Sequence, residues 1–357
     1  MTENVKVAVI GTGGMGRLHS DGFSKNSRCD LLGIAGRNKT MINRMQQGDW
    51  QTVDYGDELA SFKNPAPIPQ AYYSFEELAK DKSIDAVSIC LPNKYHAPVA
   101  IMMLESGKHV LVEKPMAGTV QECNQMIETA KKNNLVLQIG HMWRFHSDME
   151  MIRQVIASGM IGEIVKIKGY GIHVNWGPDG WFVDKDLAMG GALIDMGVHA
   201  IDTISYCLGD VPPVRVNAVV DSRYGNYEVD DNGIIMVKYA NGATGIIESG
   251  WKNPFADGGE ASTQFFGTKG YARINPTQVH YELAGKWGIF EPERKPGETT
   301  FDEEALQTYY RQIDAFIDAI HGDSPCSVPG EVGKQVIQVV EAAYRSAKEG
   351  VEVAVNA

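Results

Sequence analysis

Residues 5–16 read VKVAVIGTGGMG. The stretch Val5–Ile10 is a short apolar run with one lysine, Lys6, as expected for a strand that is buried on both faces. The glycines that follow fit the spacing GxGxxG, and a helix pattern runs over Gly14–Lys25. A strand, a glycine-rich turn and a helix in this order predict the first unit of a dinucleotide-binding fold.

The residues of this turn have separate tasks in such a fold. Gly11 permits the tight turn, Gly13 has no Cβ and lets a pyrophosphate approach the backbone, and Gly16 lets the helix pack closely on the strand. At Gly14 and Met15, the backbone N–H groups and the dipole of the helix N-terminus favour an anion. We therefore predict that this turn holds NAD(P)(H).

The end of the second strand bears on the choice between NAD and NADP. Residues 35–38 read AGRN, with no carboxylate to bond the ribose 2′-hydroxyl and repel a 2′-phosphate. Arg37 can pair with a 2′-phosphate or stack on adenine, and Asn38 can cap the next helix. An exposed arginine at a helix start can also be merely solvated. We count both residues as cofactor contacts, and the sequence slightly favours NADP.

The chain has 357 residues, which at roughly 150 residues per domain indicates two domains. Over residues 1–140, apolar strand patterns alternate with helix patterns, which predicts a Rossmann domain with a doubly wound parallel sheet. The predicted strands that follow the first are 31–35, 85–90, 109–112 and 135–139, with helices at 39–47, 94–106 and 120–132. Residues 52–70 carry three prolines and no clear period, and predict a surface loop.

Residues 141–357 show a different pattern and predict an α+β domain with an open, mostly antiparallel sheet. Asn241-Gly242, between two strand patterns, is a hairpin signal. Predicted strands are 214–220, 233–239, 244–249, 262–266 and 271–274, and predicted helices are 149–158, 191–208, 303–320 and 331–348. The last helices can pack back on the first domain. We expect one sheet face to be left uncovered and to build a homodimer or homotetramer.

Glu113-Lys114-Pro115 follows the predicted strand 109–112 directly. Ligands of doubly wound sheets bind beyond the carboxyl ends of the strands, which places Lys114 at the mouth of the predicted site. A partly desolvated lysine near a cationic nicotinamide has a lowered pKa and can bond a substrate hydroxyl. The simpler interpretation is a surface lysine before a loop proline.

Asp195 and His199 stand four residues apart in the predicted helix 191–208, so they share a helix face. An Asp beside a His can fix its tautomer and tune its basicity, and the imidazole can then remove a proton from an alcohol near neutral pH. The simpler interpretation is a surface ion pair with a core histidine.

One glycine-rich stretch carries His173, Asn175, Trp176, Trp181 and Phe182. Aromatic faces beside amides suit the apolar faces and hydroxyls of a sugar ring. We predict a substrate wall here, although an ordinary loop that packs its tryptophans into the core has the same composition.

Together these motifs resemble the glucose–fructose oxidoreductase/inositol dehydrogenase/rhizopine-catabolism (Gfo/Idh/MocA) family over nearly the whole chain. Further shared motifs are Leu91-Pro92-Asn93 followed by His96, Gly140-His141 with Arg144-Phe145, the lead-in Gly190-Gly191-Ala192 to Asp195, and Ala343-Tyr344-Arg345-Ser346 in the last helix. The missing carboxylate after the second strand and the long proline-rich loop depart from many relatives.

The resemblance implies that Lys114, Asp195 and His199 are the catalytic residues. All three are also expected to contact the substrate. It implies a nicotinamide site lined by Leu91, Pro92, Asn93, His96 and Glu113, with Trp143 and Arg144 nearby, and a Lys114–Pro115 bond that is often cis. The expected activity is hydride transfer between NAD(P) and a secondary hydroxyl of a sugar, glycoside or polyol. Two alternatives stay open: a glycosidase-like lyase that uses retained NAD(H) for transient oxidation, and a non-catalytic NADP-sensing regulator.

Charge and cysteine content exclude other classes of protein. Lys and Arg total 33 against 45 Asp and Glu, a net charge of −12, which argues against nucleic-acid and anionic-lipid partners. The five cysteines form no CxxC pair, so neither a disulfide framework nor a metal site is expected. The start has no leader pattern and no apolar run approaches about 18 residues, so we expect a cytoplasmic protein.

Overall fold

The computed structural model describes residues 3–47, 69–254, 257–293 and 301–355. The chain forms two compact units. The first consists of Met1–Gly140 and Tyr309–Gly333, and the second of His141–Thr308 and Lys334–Ala357.

The first unit contains a parallel sheet with the strand order β3-β2-β1-β4-β5-β6. Its described strands are β1 Val5–Ile10, β2 Cys29–Ala35, β3 Gln70–Tyr72, β4 Ala86–Ile89, β5 His109–Glu113 and β6 Leu137–Gly140. Every neighbouring pair among them is parallel. The doubly wound Rossmann sheet predicted from the alternating pattern is thereby confirmed.

Three of the described helices of this unit begin at a side-chain cap. The described helices are α1 Gly14–Lys25, α2 Lys39–Gln46, α3 Phe75–Lys80, α4 His96–Glu105 and α5 Val120–Asn133. The side chain of Asn38 accepts a hydrogen bond from the Met41 amide, as its predicted capping role requires. Thr119 and Glu122 form a reciprocal capping box at the start of α5.

Two short elements of the first unit were not predicted. Strand β3 has three residues and α3 has six, which is too short for either periodicity to show. The predicted loop over 52–70 lies outside the described residues up to position 68, and its last residue, Gln70, begins β3.

Residues from near the end of the chain complete the core of the first unit. Phe316 and Ile317 are fully buried and pack in the same cluster as Val7 and Val9 of the first strand. Arg28 also forms ion pairs with Asp318 and Asp323. These contacts join parts of the chain that lie almost 300 residues apart, which accounts for the discontinuous composition of the unit.

The second unit contains a large sheet with the strand order β14-β13-β12-β11-β7-β10-β9-β8-β15. Its described strands are β7 Ile164–Ile172, β8 Pro213–Asp221, β9 Asn232–Tyr239, β10 Thr244–Gly250, β11 Thr263–Gly267, β12 Gly270–Ile274, β13 Gln278–Leu283, β14 Lys286–Phe290 and β15 Val353–Ala354. Among these strands, β7 and β10 are parallel and the other neighbours are antiparallel. The predicted mostly antiparallel sheet is confirmed.

The predicted hairpin at Asn241-Gly242 is also confirmed, because it joins the antiparallel strands β9 and β10 and Gly242 has a φ of +91°. The sequence missed β7, β13, β14 and β15. Strand β7 lies in the middle of the sheet, but Lys166, Lys168 and two glycines interrupt its apolar pattern.

The helices of the second unit include one departure from the prediction. They are α6 Ser147–Ala157, α7 Lys185–Ala188 and α8 Val198–Cys207. The residues of α9 Phe301–His321 and α10 Gly330–Glu349 are assigned partly to the first unit and partly to the second. The predicted regular helix over 191–208 was wrong at its start, where Leu193–Gly197 forms a π-turn. Close packing accompanies the wide turn, because a Cβ at Gly171 would lie only 2.2 Å from the Met196 carbonyl oxygen.

Among the described residues, Lys185–Cys207 is long and apolar enough to resemble a membrane-spanning helix by composition. Most of its apolar window is buried inside the second unit, as in the core helix of a folded domain.

Candidate active site

The glycine-rich turn has the shape that a bound pyrophosphate requires. A Cβ at Gly11, where φ is +118°, would lie 2.0 Å from the Cys90 carbonyl oxygen, and a Cβ at Gly16 would lie 2.1 Å from the Gly11 carbonyl. A Cβ at Gly13 would meet no atom of the chain within 4 Å. The turn is therefore packed on its inner side and open at Gly13. Helix α1 has no side-chain cap and no acidic residue in its first turn, so an anion fits there.

The end of β2 presents basic and amide side chains. Arg37 is exposed, and its guanidinium carbon lies 5.5 Å from the centre of the Tyr95 ring. Tyr95 was not among the predicted residues. Asn38 uses its side-chain oxygen to cap α2 through the Met41 amide. An exposed guanidinium held over an aromatic ring can meet a phosphate or an adenine.

A buried ionic pair lies beneath the strand ends. Nε2 of His19 lies 3.0 Å from Oε1 of Glu113, and its Nδ1 lies 2.7 Å from the Ser88 hydroxyl. Burial alone would raise the pKa of Glu113, but His19 outweighs it and the pKa is lowered. Burial alone would lower the pKa of His19, but Cys90 and Glu113 outweigh it and the pKa is raised. The pair is therefore charged, and it joins the glycine-turn helix to the end of β5.

Lys114 follows β5 directly and is half-buried. Its backbone N–H donates to Oε2 of Glu113 at 3.2 Å, so the buried pair also fixes the lysine backbone. The Lys114–Pro115 peptide bond is cis, as the resemblance implies.

His96 ties together the loops that follow β4 and β5. Its Nδ1 lies 2.7 Å from the Pro115 carbonyl oxygen and its Nε2 lies 2.7 Å from the Leu91 carbonyl oxygen. Burial lowers the pKa of His96. Pro92 precedes a 3₁₀ turn, Asn93–Tyr95, in which Asn93 is buried. The structure thus brings the predicted residues of this segment together at the carboxyl ends of adjacent strands.

In the second unit, Asp195 and His199 have separate partners. Nε1 of Trp251 donates to Oδ2 of Asp195 at 2.9 Å. Nε2 of His199 lies 3.7 Å from Oε1 of Glu260, and the same oxygen accepts a hydrogen bond from Nε1 of Trp143 at 2.9 Å. Both Asp195 and His199 are more than nine-tenths buried. Sequence reasoning missed Trp251 and Glu260.

The predicted aromatic wall forms a connected cluster. His173 and Phe182 each meet the Trp176 ring edge-on, with ring centres 5.2 and 5.0 Å away. Trp181 stacks on Phe182 at 4.0 Å. Trp176 also meets Trp251 at 5.9 Å, which connects this cluster to the tryptophan that binds Asp195. Asn175 lies in the same loop and is exposed.

Arg144 is buried and holds two carboxylates of its own unit. Its Nε donates to Asp202 at 2.8 Å and its terminal nitrogens donate to Asp210. Burial alone would lower the pKa of Arg144, but Asp202 and Asp210 outweigh it and raise that pKa. Through these contacts Arg144 connects Asp202 of α8, the helix that carries His199, with Asp210 in the segment after that helix.

A second set of buried hydrogen bonds fixes the backbone just before Asp195. The Asp230 carboxylate accepts hydrogen bonds from the Gly191 and Leu193 amides and from the Tyr344 hydroxyl, at 2.7–2.8 Å. Burial raises the pKa of Asp230. The contact explains two motifs that the sequence displayed separately, the glycine lead-in and the Tyr344 segment of the last helix.

No group of three or more His, Cys, Asp or Glu side chains that could hold a metal ion occurs in the part of the chain that the structure describes. All five cysteines lie in that part, and none of them is in a disulfide.

Comparison with protein families identifies both units. Residues 5–141 match the model of an oxidoreductase family with an NAD-binding Rossmann fold, and residues 149–273 match the GFO/IDH/MocA C-terminal domain. The chain belongs to the Gfo/Idh/MocA family of oxidoreductases. As a Gfo/Idh/MocA protein it is an enzyme, and its Rossmann domain binds a nicotinamide cofactor.

Similar proteins cover the whole chain. D-glucoside 3-dehydrogenase of Escherichia coli is 27% identical, over 98% of this chain and 97% of its own. Myo-inositol 2-dehydrogenase of Thermotoga maritima is 25% identical over 97% of both chains. The solved structure of levoglucosan dehydrogenase in complex with NADH is 25% identical, with a TM-score of 0.82 over 99% of this chain and 100% of the other.

The residues that sequence reasoning missed differ in the signal they leave. His19 stands three positions after Gly16 in the glycine-turn helix, and a histidine facing the sheet there could have been noticed. Trp251 and Glu260 lie in the irregular segment between β10 and β11, which carries no recognisable chemical motif. Only the folding of this Gfo/Idh/MocA chain brings them to Asp195 and His199.

Proposed function

We propose that this protein transfers hydride between NAD(P) and a secondary hydroxyl of a sugar, glycoside or polyol. The observation that carries the proposal is the buried His199, which lies beside a carboxylate in the unit that also holds Asp195 and a cluster of aromatic rings. Such a cluster can accommodate the apolar face of a sugar ring. The names of the similar proteins, which include a glucoside and an inositol dehydrogenase, support a substrate of this class.

Each catalytic residue has one task in the proposed reaction. In the oxidation direction His199 takes the hydroxyl proton, Asp195 supports the imidazole, and Lys114 polarises the substrate oxygen. NAD(P), when bound, supplies a hydride acceptor at its nicotinamide ring. One secondary alcohol thereby becomes a ketone, the hydride leaves with the cofactor, and the proton leaves through His199. In the reduction direction His199 returns the proton.

The remaining assignments concern binding. We assign residues 1–140 to the cofactor and 141–357 to substrate binding and oligomerisation. The proposed cofactor residues are Gly11, Gly13, Gly14, Met15, Gly16, Arg37, Asn38, Leu91, Pro92, Asn93, His96, Glu113, Lys114, Trp143 and Arg144. The proposed substrate residues are Lys114, His173, Asn175, Trp176, Trp181, Asp195 and His199. Arg37, with no carboxylate beside it in the sequence, favours NADP over NAD.

The outer face of the large sheet supports self-association. Val219 of β8 and Ile234 and Met236 of β9 share one face of two neighbouring strands, and each side chain is exposed. An exposed apolar sheet face commonly marks an interface. We propose a homodimer or homotetramer built on this face, and a cytoplasmic location. Light scattering at micromolar concentration should give two or four chains, and Ile234→Glu should give one; a monomeric wild-type protein would contradict the proposal.

A substrate panel tests the activity. Purified protein is offered polyols, aldoses and glycosides with NAD and with NADP, and absorbance at the nicotinamide band is followed. Sustained reduction of added cofactor by at least one sugar or polyol is the expected result. Conversion of a glycoside with tightly held cofactor and no net absorbance change would replace the proposal by the lyase. Binding of NADP with no turnover of any compound would replace it by the sensor.

A further inference from the structure

The carboxylate of Glu260 lies beside the imidazole of the proposed base. Its Oε1 is 3.7 Å from Nε2 of His199, which is slightly too far for a hydrogen bond. Nε1 of Trp143 donates to the same oxygen at 2.9 Å. Because Trp143 is buried, its indole holds that oxygen in place. Fixed proximity of this kind differs from a chance surface ion pair, in which both side chains move in water.

The two partners differ in exposure. The His199 side chain is 7% exposed, and that of Glu260 is 28% exposed. The carboxylate therefore keeps contact with water, whereas the imidazole is screened by solvent much less. A carboxylate also has about four acceptor positions, and the bond from Trp143 occupies one of them.

The backbone next to Glu260 is held in a costly conformation. Ala261 is fully buried and has a φ of +60°, in the left-handed region that residues with a Cβ rarely adopt. Its N–H donates to the Tyr170 carbonyl of β7 at 3.0 Å, which fastens the segment to the sheet. Strain that the surrounding structure maintains is characteristic of functional segments.

We propose that Glu260 is a positioning residue for His199: its carboxylate, anchored by Trp143, orients and stabilises the protonated imidazole during catalysis. This inference rests on the proposed function, in which His199 takes the hydroxyl proton. As the proton arrives, the neutral ring becomes a cation beside a fixed negative charge. Glu260 remains a carboxylate throughout, so the overall reaction is unchanged.

Several other titratable groups among the described residues of the second unit have partners of their own. Asp195, in the π-turn before α8, accepts from Trp251, and Asp202 of α8 pairs with Arg144. Nδ1 of His141 lies 3.9 Å from Asp202. A substitution at position 260 leaves these contacts in place. The effect of Glu260 can therefore be measured separately.

The test is the pH dependence of sugar oxidation in wild-type protein and in Glu260→Gln. The base must be neutral to accept a proton, so the acidic limb of kcat/KM reports its pKa. An adjacent negative charge raises that pKa, and removing it should move the limb to lower pH by about one unit. Because the base becomes weaker and its cation less stable, kcat should fall by about three- to tenfold.

Three further variants separate charge from shape. Glu260→Asp keeps the negative charge, so the acidic limb should return most of the way to its wild-type pH. Trp143→Phe keeps an aromatic ring but removes the hydrogen bond to the Glu260 carboxylate. It should move the limb to lower pH by less than Glu260→Gln does. Glu282→Gln, at an exposed carboxylate of β13, should match wild type. The inference is overturned if the acidic limb of Glu260→Gln stays within 0.2 pH units of the wild-type limb. It is also overturned if Glu260→Asp moves the limb as far as Glu260→Gln does.

A second readout needs no substrate. The ring signal of His199, assigned by its loss in His199→Asn, is titrated by NMR in wild type and in Glu260→Gln. A pKa that falls by about one unit supports the pairing even if no sugar is oxidised, in which case the proposed function alone fails. An unchanged pKa overturns the pairing even in an active dehydrogenase.

Discussion

The two units hold their candidate residues by different means. In the first, the backbone provides most of the site: the glycine turn and the end of β5 determine where groups lie. In the second, side chains hold other side chains: Trp251 donates to Asp195, Glu260 lies beside His199, and the Tyr344 hydroxyl donates to Asp230. We infer that changes in the first unit act mainly on stability and cofactor binding, and changes in the second mainly on turnover.

The largest effect should come from the proposed base. His199→Asn should lower kcat by about 10²–10⁴-fold, the usual worth of a general base, with cofactor affinity almost unchanged. Lys114→Ala should cost a similar factor and also weaken nicotinamide binding, since Lys114 adjoins Glu113. The double variant should lose less than the product, because both residues act on one proton transfer. Full turnover in His199→Asn, with the same acidic limb, would make His199 a structural residue.

A pair of glycine variants tests the backbone side of the comparison. Gly11→Ala forces a Cβ to 2.0 Å from the Cys90 carbonyl at a positive φ, and should destabilise the fold by at least about 2 kcal/mol. Gly13→Ala meets no atom of the chain and should keep the melting temperature, yet weaken cofactor binding about tenfold. Thermal unfolding and cofactor titration distinguish the two. Equal behaviour of both variants would show that the turn is merely structural.

Asp230→Asn tests how much the Asp230 hydrogen bonds of the second unit contribute to stability and turnover. The new amide group would face backbone N–H groups and the Tyr344 hydroxyl, which are donors themselves, so the protein should lose about 1–3 kcal/mol of stability. Because Asp230 holds the segment before Asp195, kcat should fall as well while cofactor affinity stays. Asp179→Asn, at an exposed position, is the control. An unchanged melting temperature would show that the Asp230 hydrogen bonds do not stabilise the fold.

The smallest effect should be seen at Arg37. An exposed guanidinium is screened by solvent, so Arg37→Ala should weaken NADP by only about three- to tenfold and NAD less. Arg37→Lys keeps the charge and should retain most of the preference. Isothermal titration with both cofactors measures the difference. An equal loss for NADP and NAD would leave adenine stacking as the role of Arg37.

Sequence periodicity predicted the long elements well and the short or interrupted ones poorly. Helix α1 was predicted with its observed bounds, because twelve residues show the helical period and glycines mark its start. Strand β7 was missed although it lies in the middle of the large sheet, since its lysines and glycines mask the alternation. The π-turn at Leu193–Gly197 was also missed, because the apolar pattern of residues 191–208 carries no mark of an extra residue in one turn.

The sequence by itself determined the Rossmann topology, the glycine turn, the position of Lys114 after β5 and the chemical candidates Asp195 and His199. These follow from local backbone geometry, because a glycine or a strand end fixes the path of its immediate neighbours. Only the tertiary structure decided which partners those side chains have. Trp143 and Glu260 are 117 residues apart, Trp251 and Asp195 are 56 apart, and Asp230 and Tyr344 are 114 apart. Such pairs form because buried polar atoms need partners and the packing of strands and helices supplies them, which no local pattern records.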